Sequence, residues 1–331
     1  VGAADGLDAD SGPRFKELAD ETEVRLRYLS AALASGAPEL FTHHVVWTAQ
    51  SWHARGVSLG LLERSLEELR QVLAAEIPEA SVVAVLATLD RGIASLGAGA
   101  EPPASVLDEG GPQADRARHF LLALLEKRRG DARDVVFEAL DAGVPLAEVH
   151  RDVVARAQRE MGRLWQLGEV HIGEEHLGSR IVEEILVLAR ERAGRAEPDG
   201  RCLAACSTAG DLHDLGARMV SDALEVAGWE SAFLGANVPA PDLARSLRDF
   251  EVDLLVLSVG LALHVRGCAE TIAWVREELG PKTPPIVVGG PPFEVAPDLW
   301  CAVGADACAE SPVAALAVAD RLVPQSASRG S

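Results

Sequence analysis

No cysteine precedes residue 202 in this 331-residue sequence, which excludes a thioether-linked chromophore anywhere in its N-terminal half. The five cysteines, Cys202, Cys206, Cys268, Cys301 and Cys308, stand mostly in apolar surroundings and read as small buried hydrophobes of a reducing compartment. Cys202 and Cys206 have no second pair at zinc-site spacing, which argues against a structural zinc. Basic residues are also scarce: 31 Lys and Arg against 51 Asp and Glu leave a formal charge of -20. Phosphate-backbone affinity rests on clustered Lys and Arg, so direct nucleic-acid binding is not expected. There is no run of eighteen apolar residues and no N-terminal signal pattern, from which a soluble, cytoplasmic protein without membrane contact is expected.

The length predicts two or three domains, and 48% hydrophobic residues supply ample core. Residues 1–12, rich in Gly, Ala and Asp, read as disordered, and so does a tail over 325–331. Residues 13–97 carry helical periodicity in four segments, around Leu26 to Leu29, Leu40 to His53, Leu61 to Ile77 and Ala80 to Leu96. Residues 98–113 read as a linker, and 114–195 as a four-helix bundle. Residues 199–324 alternate short apolar strands with helical patterns. Strands are expected at Arg201 to Ser207, Ser231 to Gly235, Asp253 to Gly260 and Pro285 to Val288, and the run DLLVLS is of the kind buried on both faces of a parallel sheet.

The chemistry-bearing stretch is Asp211-Leu212-His213-Asp214-Leu215-Gly216. It falls between the first apolar strand and a helix, at the carboxyl end of the strand, where open parallel sheets bind ligands. A metal-ligating imidazole normally donates its second ring N–H to a carboxylate, and Asp211 is placed to receive it from His213. Later strands end in small residues: Leu234 to Pro239 with Val238, then Ser258-Val259-Gly260, then Gly289-Gly290. This ordered set resembles the signature of cobalamin-binding domains. The resemblance implies a Rossmann-like, flavodoxin-like fold, His213 as the lower cobalt ligand, and a slot for the displaced nucleotide tail lined by Ser258, Gly260, Gly289 and Gly290, with Asp211, Leu215, Gly216 and Val238 beside the cofactor. The family's usual serine-x-leucine is replaced here by Ser258-Val259-Gly260.

Trp165, nine intervening residues, then Glu175-His176 lie within the four-helix segment. That pattern is similar to light-responsive cobalamin photoreceptors, in which the matching residues enclose the upper face of adenosylcobalamin; the four helices would then form a cap. In the MerR-like photoreceptor repressors a histidine follows the tryptophan and becomes the upper ligand after photolysis. Here Gln166 stands in its place; His171 is a candidate substitute, although its position reads as an exposed turn. The alternative for the trio is plain packing, with Trp165 in a core and Glu175-His176 at a solvated helix start.

The N-terminal helices hold His43, His44, Trp47, His53 and Arg55 within thirteen positions of one another. Packing alone would explain such a cluster; the functional reading is a pocket for a flat conjugated ligand, with tryptophan on its face and His or Arg on its carbonyls and propionates. The whole layout looks like the photocobilins, which implies non-covalent biliverdin near the cobalamin. The resemblance therefore implies a light sensor rather than an enzyme, with a homo-oligomer whose assembly depends on light and a downstream signalling protein as partners. A corrinoid methyl carrier serving methyltransferases is the alternative.

Overall fold

A computed structural model describes residues 12–325, with side chains from residue 21 onward. The expected disorder over 1–12 and 325–331 lies outside the described residues, except that Gly12 opens the first helix and the Gln325 amide donates to Asp199 Oδ2.

Four helices, α1 (Gly12–Ser35), α2 (Pro38–Ala54), α3 (Leu59–Glu76) and α4 (Glu79–Ala94), form the N-terminal bundle. Their apolar stripes meet at Leu29, Leu40, Phe41, Val45, Leu62, Leu66 and Leu89, all buried, as a 3.6-residue period requires. Gly36 takes a left-handed φ of 66° between α1 and α2, and Pro38 then occupies the first turn of α2, where its missing N–H costs nothing. The stretch Glu79–Ala100 is long and apolar enough by composition to cross a membrane, with mean hydropathy 1.4 in its best window. Leu89 and Gly92 nevertheless pack inside the bundle.

Residues 98–113 are tied down along much of their length. The Arg156 guanidinium donates to the Val106 carbonyl, the Val106 N–H donates to Glu160 Oε2, and Arg163 reaches the Pro103 carbonyl. The cap follows as α5 (Ala114–Leu125), α6 (Arg129–Asp141), α7 (Leu146–Val149) continued through a π-helical turn (His150–Ala155) into α8 (Arg156–Gln166), and α9 (Ile172–Ala193). Phe120, Val136, Val153, Met161, Ile181 and Leu186 fill its core, and Met219 of the next domain joins them.

The last domain is a doubly wound parallel sheet of order β2-β1-β3-β4-β5, built from β1 (Cys202–Thr208), β2 (Glu230–Val238), β3 (Leu254–Ser258), β4 (Ile286–Gly289) and β5 (Ala307–Cys308). β5, two residues long, is absent from the sequence expectation. Helices α10 (Leu215–Val226) and α15 (Pro312–Leu322) pack one face through Leu203, Ala205, Leu224 and Ala319. On the other face, α11 (Ala240–Asp249) and α12 (Val265–Leu279) pack through Leu243 and Ile272, with the short α13 (Pro291–Val295) and α14 (Leu299–Ala302) beyond. The N-terminal bundle continues that second core, with α1 lying against the short turn Ala262–His264 and against α12. The carboxyl ends of the strands therefore open between the cap, α10 and the N-terminal bundle.

Candidate functional site

The loop after β1 is built around the fully buried carboxylate of Asp211. Its Oδ1 accepts the His213 backbone N–H at 3.0 Å, the local turn that a short acidic side chain makes with the residue two ahead. The same oxygen lies 2.8 Å from His213 Nδ1. An ionised carboxylate only accepts, so Nδ1 carries the proton and Nε2 is left with its lone pair. Asp211 Oδ2 accepts the Gly260 N–H at 2.6 Å, joining the ends of β1 and β3. Burial alone would raise the Asp211 pKa; the hydrogen bonds from the His213 ring, the His213 N–H and the Gly260 N–H outweigh it and hold the group below its ordinary value. The hydrogen bond to Asp211 raises the His213 pKa against the opposing effect of burial, with Asp211, Glu175 and Asp214 adding to the pull. The His213 side chain is 62% exposed, so the lone pair faces open space at the end of the sheet.

Asn237, which sequence reading passed over, locks this loop from β2. It adopts φ 56°, a left-handed conformation that Asn tolerates better than most residues. Its Oδ1 accepts the Gly210 N–H at 2.7 Å, its own N–H donates to the Asp211 carbonyl at 3.0 Å, and Ser207 Oγ donates to the same carbonyl at 2.7 Å. The β1–β2 register slips between Cys206 and Thr208, which makes room for this arrangement. The available signal was the run Gly235-Ala236-Asn237-Val238-Pro239 at a strand end.

Small residues keep the neighbouring space clear. A Cβ on Gly260 would lie 2.5 Å from the His213 Cβ, and one on Gly290, at φ 119°, would lie 2.1 Å from the Val259 carbonyl oxygen. On Gly289 it would approach the Ala309 carbonyl to 2.6 Å, and on Gly216 it would come 3.1 Å from Ser258 Oγ. Leu215 and Val238 are half-buried at the rim.

Of the other trio, in the cap, Glu175 is the member that acts on the loop. Glu175 Oε2 lies 2.7 Å from His176 Nδ1 and its Oε1 accepts from Ser179 Oγ at 2.9 Å, while the charge of Glu175 is felt at His213. The His176 side chain is 70% exposed. Trp165, at the end of α8, packs on Trp47 with ring centroids 5.8 Å apart. Gln166 is buried and its amide donates to the Trp47 carbonyl and to Gln50 Oε1, so it is committed to α2. His171 is the N-cap of α9, accepting from the Gly173 and Glu174 N–H groups.

The five N-terminal residues do not converge. Trp47 faces the cap, and Arg55 donates to the Trp165 and Gln166 carbonyls. His44 is buried and stacked on Tyr28, with centroids 3.7 Å apart. His43 and His53 are both exposed. Burial pushes the His44 pKa down to about 3, and its Nε2 has no partner among the described residues. Arg25, also buried, has an Nε without a partner among the described residues and lies over Trp52 at 5.4 Å.

Comparison with known proteins bears on the family and the fold. Residues 201–318 match the model of a B12 binding domain, and residues 117–189 match a second model of the same description. Dimethylamine corrinoid protein 3 of Methanosarcina acetivorans is 25% identical over 196 residues, 58% of this chain and 91% of its own. Dimethylamine corrinoid protein 3 of Methanosarcina mazei is 30% identical over 115 residues, 34% of this chain and 67% of its own. The HTH-type transcriptional repressor CarH of Myxococcus xanthus is 26% identical over 186 residues, covering 54% of this chain and 59% of the repressor. Among solved structures, the monomethylamine corrinoid protein of Methanosarcina barkeri shares the fold, with a TM-score of 0.54 at 21% identity over 64% of this chain and all of that one.

Proposed function

The chain belongs to the family of B12-binding proteins, and on that footing we propose that it is a cobalamin-based light sensor rather than an enzyme. His213 would hold cobalt from below through Nε2, while Asp211 keeps the proton on Nδ1 and fixes the ring. Ser258, Gly260, Gly289 and Gly290 would leave the slot for the nucleotide tail, and their fit rests on the contacts that any added Cβ would make. Trp165, Glu175 and His176 would close the upper face. Adenosylcobalamin supplies a cobalt–carbon bond that light can break; the protein's part is orientation and a packing change on its loss.

The observation that carries the sensor reading is the fastening of the cap to the N-terminal bundle, by Arg55 on the Trp165 and Gln166 carbonyls. A methyl carrier has to open its upper face to a methyltransferase; with Trp165 read as covering that face, this contact would hold it closed. The test is size-exclusion chromatography in dark and light with adenosyl-, methyl- and hydroxocobalamin. A shift on illumination confined to the adenosyl form is expected, as a change of homo-oligomer that a downstream signalling protein could read. Identical elution of all three forms refutes the sensor reading.

The second reading, a corrinoid methyl carrier, is favoured by the methylamine-system relatives, one of which aligns over 91% of its own length. It predicts methyl transfer from methylcobalamin-loaded protein to a partner methyltransferase, with no response to light.

The N-terminal bundle is further proposed to hold biliverdin without a covalent bond. Support comes from the unpartnered Arg25 Nε and His44 Nε2 beside Tyr28 and Trp52. Added biliverdin should give a red-absorbing protein from which acid denaturation releases unmodified pigment.

A further inference from the structure

The last turn of α8 carries Trp165 and Gln166, and their carbonyls belong to the set that a helix C-terminus leaves without intrahelical donors. Gly168 N–H takes one bond to Trp165 O. The others come from Arg55, the C-cap of α2, more than a hundred residues earlier in sequence. Arg55 Nη2 donates to Trp165 O at 2.9 Å and Nη1 to Gln166 O at 2.5 Å, placing a positive charge at the negative end of the helix. Ser51 steadies the same guanidinium through its carbonyl at 3.0 Å and its hydroxyl at 2.5 Å. The Gln166 amide donates back to the Trp47 carbonyl at 3.2 Å and to Gln50 Oε1 at 2.9 Å. The two indoles pack between these polar contacts, tilted by 36°. Trp165 is thus held from behind by Trp47, Gln50 and Ser51 of α2 and by Arg55, the residue that caps that helix.

We infer that α2 is the positioning element for Trp165, and that Arg55 and Gln166 thereby set which upper substituent the cobalamin site accepts. The inference rests on the reading that Trp165 covers the upper face. On that reading a bulky adenosyl group would need the indole in one place, whereas a methyl or hydroxo ligand would make little contact with it. The N-terminal bundle therefore acts on selectivity between cobalamin forms, and the same joint gives it a mechanical link to the loss of the upper group.

Dissociation constants for adenosyl-, methyl- and hydroxocobalamin, measured on the full chain in the dark, test this. In Arg55→Met the preference for adenosyl- over hydroxocobalamin should fall about tenfold, the size expected for losing hydrogen bonds from a charged donor. Gln166→Met should act in the same direction with the bundle and its core untouched, and Arg55→Lys should restore part of the preference. An unchanged preference in both methionine variants, or an equal loss for all three cobalamins, overturns the inference. Failure of the underlying reading looks different: the parent protein itself would bind the three forms equally, or Trp165→Ala would leave the preference as it was.

Discussion

The Gly260 N–H donates to Asp211 Oδ2 at 2.6 Å, and the same glycine leaves no room for a side chain beside His213. One residue therefore both completes the carboxylate's hydrogen bonds and clears the space in front of the imidazole. Gly260→Ala sets a Cβ 2.5 Å from the His213 Cβ, and the loop or the ring has to move. Overpacking of this kind destabilises by about 1–3 kcal/mol, while cobalamin affinity, read by absorbance titration, should fall by more than the loss of stability accounts for. Parent-like affinity would mean that the contact is relieved without displacing His213.

Asp211→Asn keeps the shape of the relay but removes its charge, so an amide faces the His213 and Gly260 N–H groups. Affinity for cobalamin should drop on the order of tenfold to a hundredfold, and His213→Ala should cost more. Isothermal titration of both variants checks the order; a larger effect from Asp211→Asn would contradict it.

Asn237 separates backbone from side-chain effects. Asn237→Gly keeps the left-handed conformation but loses the acceptor for the Gly210 N–H, whereas Asn237→Ala also carries the strain of φ 56°. Urea unfolding should place Ala below Gly by about 1–2 kcal/mol, with both binding cobalamin less tightly than the parent. Equal stability of the two variants would show that the backbone strain is relieved.

His150 and His44 make stability fall in acid. His150 is fully buried at the start of the π-helical turn, with Nδ1 3.2 Å from the Met219 carbonyl and Nε2 without a partner among the described residues. Burial lowers its pKa to about 4, and that of His44 to about 3, from the ordinary imidazole value of 6.5. Both bind a proton more readily unfolded than folded. Their contribution is complete above about pH 6.5 and is lost as pH falls toward the folded values, roughly 2 kcal/mol for each by pH 5. His150→Leu should flatten the dependence of unfolding free energy on pH between about 6.5 and 4; an unchanged slope would assign the acid sensitivity elsewhere.

Legibility in the sequence followed the range of the interactions. β3 was readable because Leu254 to Leu257 is apolar throughout and the strand is buried on both faces, and α10 because its period begins directly after the loop. The Asp211–His213 bond was readable because a two-residue spacing brings an acid back onto a neighbouring ring. β5 was not, since two residues at a sheet edge carry no periodicity. Residues 98–113 have the composition of a linker, yet Arg156, Glu160 and Arg163 bind their backbone, and backbone acceptors leave no mark on the sequence. For the same reason Arg55 read as a ligand contact, whereas its guanidinium engages carbonyls at the end of α8. The bond from the Gly210 N–H to Asn237 joins the loop after β1 to the end of β2, whose proximity only the sheet order creates.

The central claim, that His213 takes the place of cobalamin's own base beneath cobalt, is tested most directly by electron paramagnetic resonance of the cob(II)alamin-loaded protein labelled with nitrogen-15 at histidine. Each cobalt line should split into the doublet of a nitrogen-15 ligand in the parent, and the doublet should vanish in His213→Ala. A nitrogen-14 triplet in the labelled parent would mean that the nucleotide base remains bound, and would contradict the account.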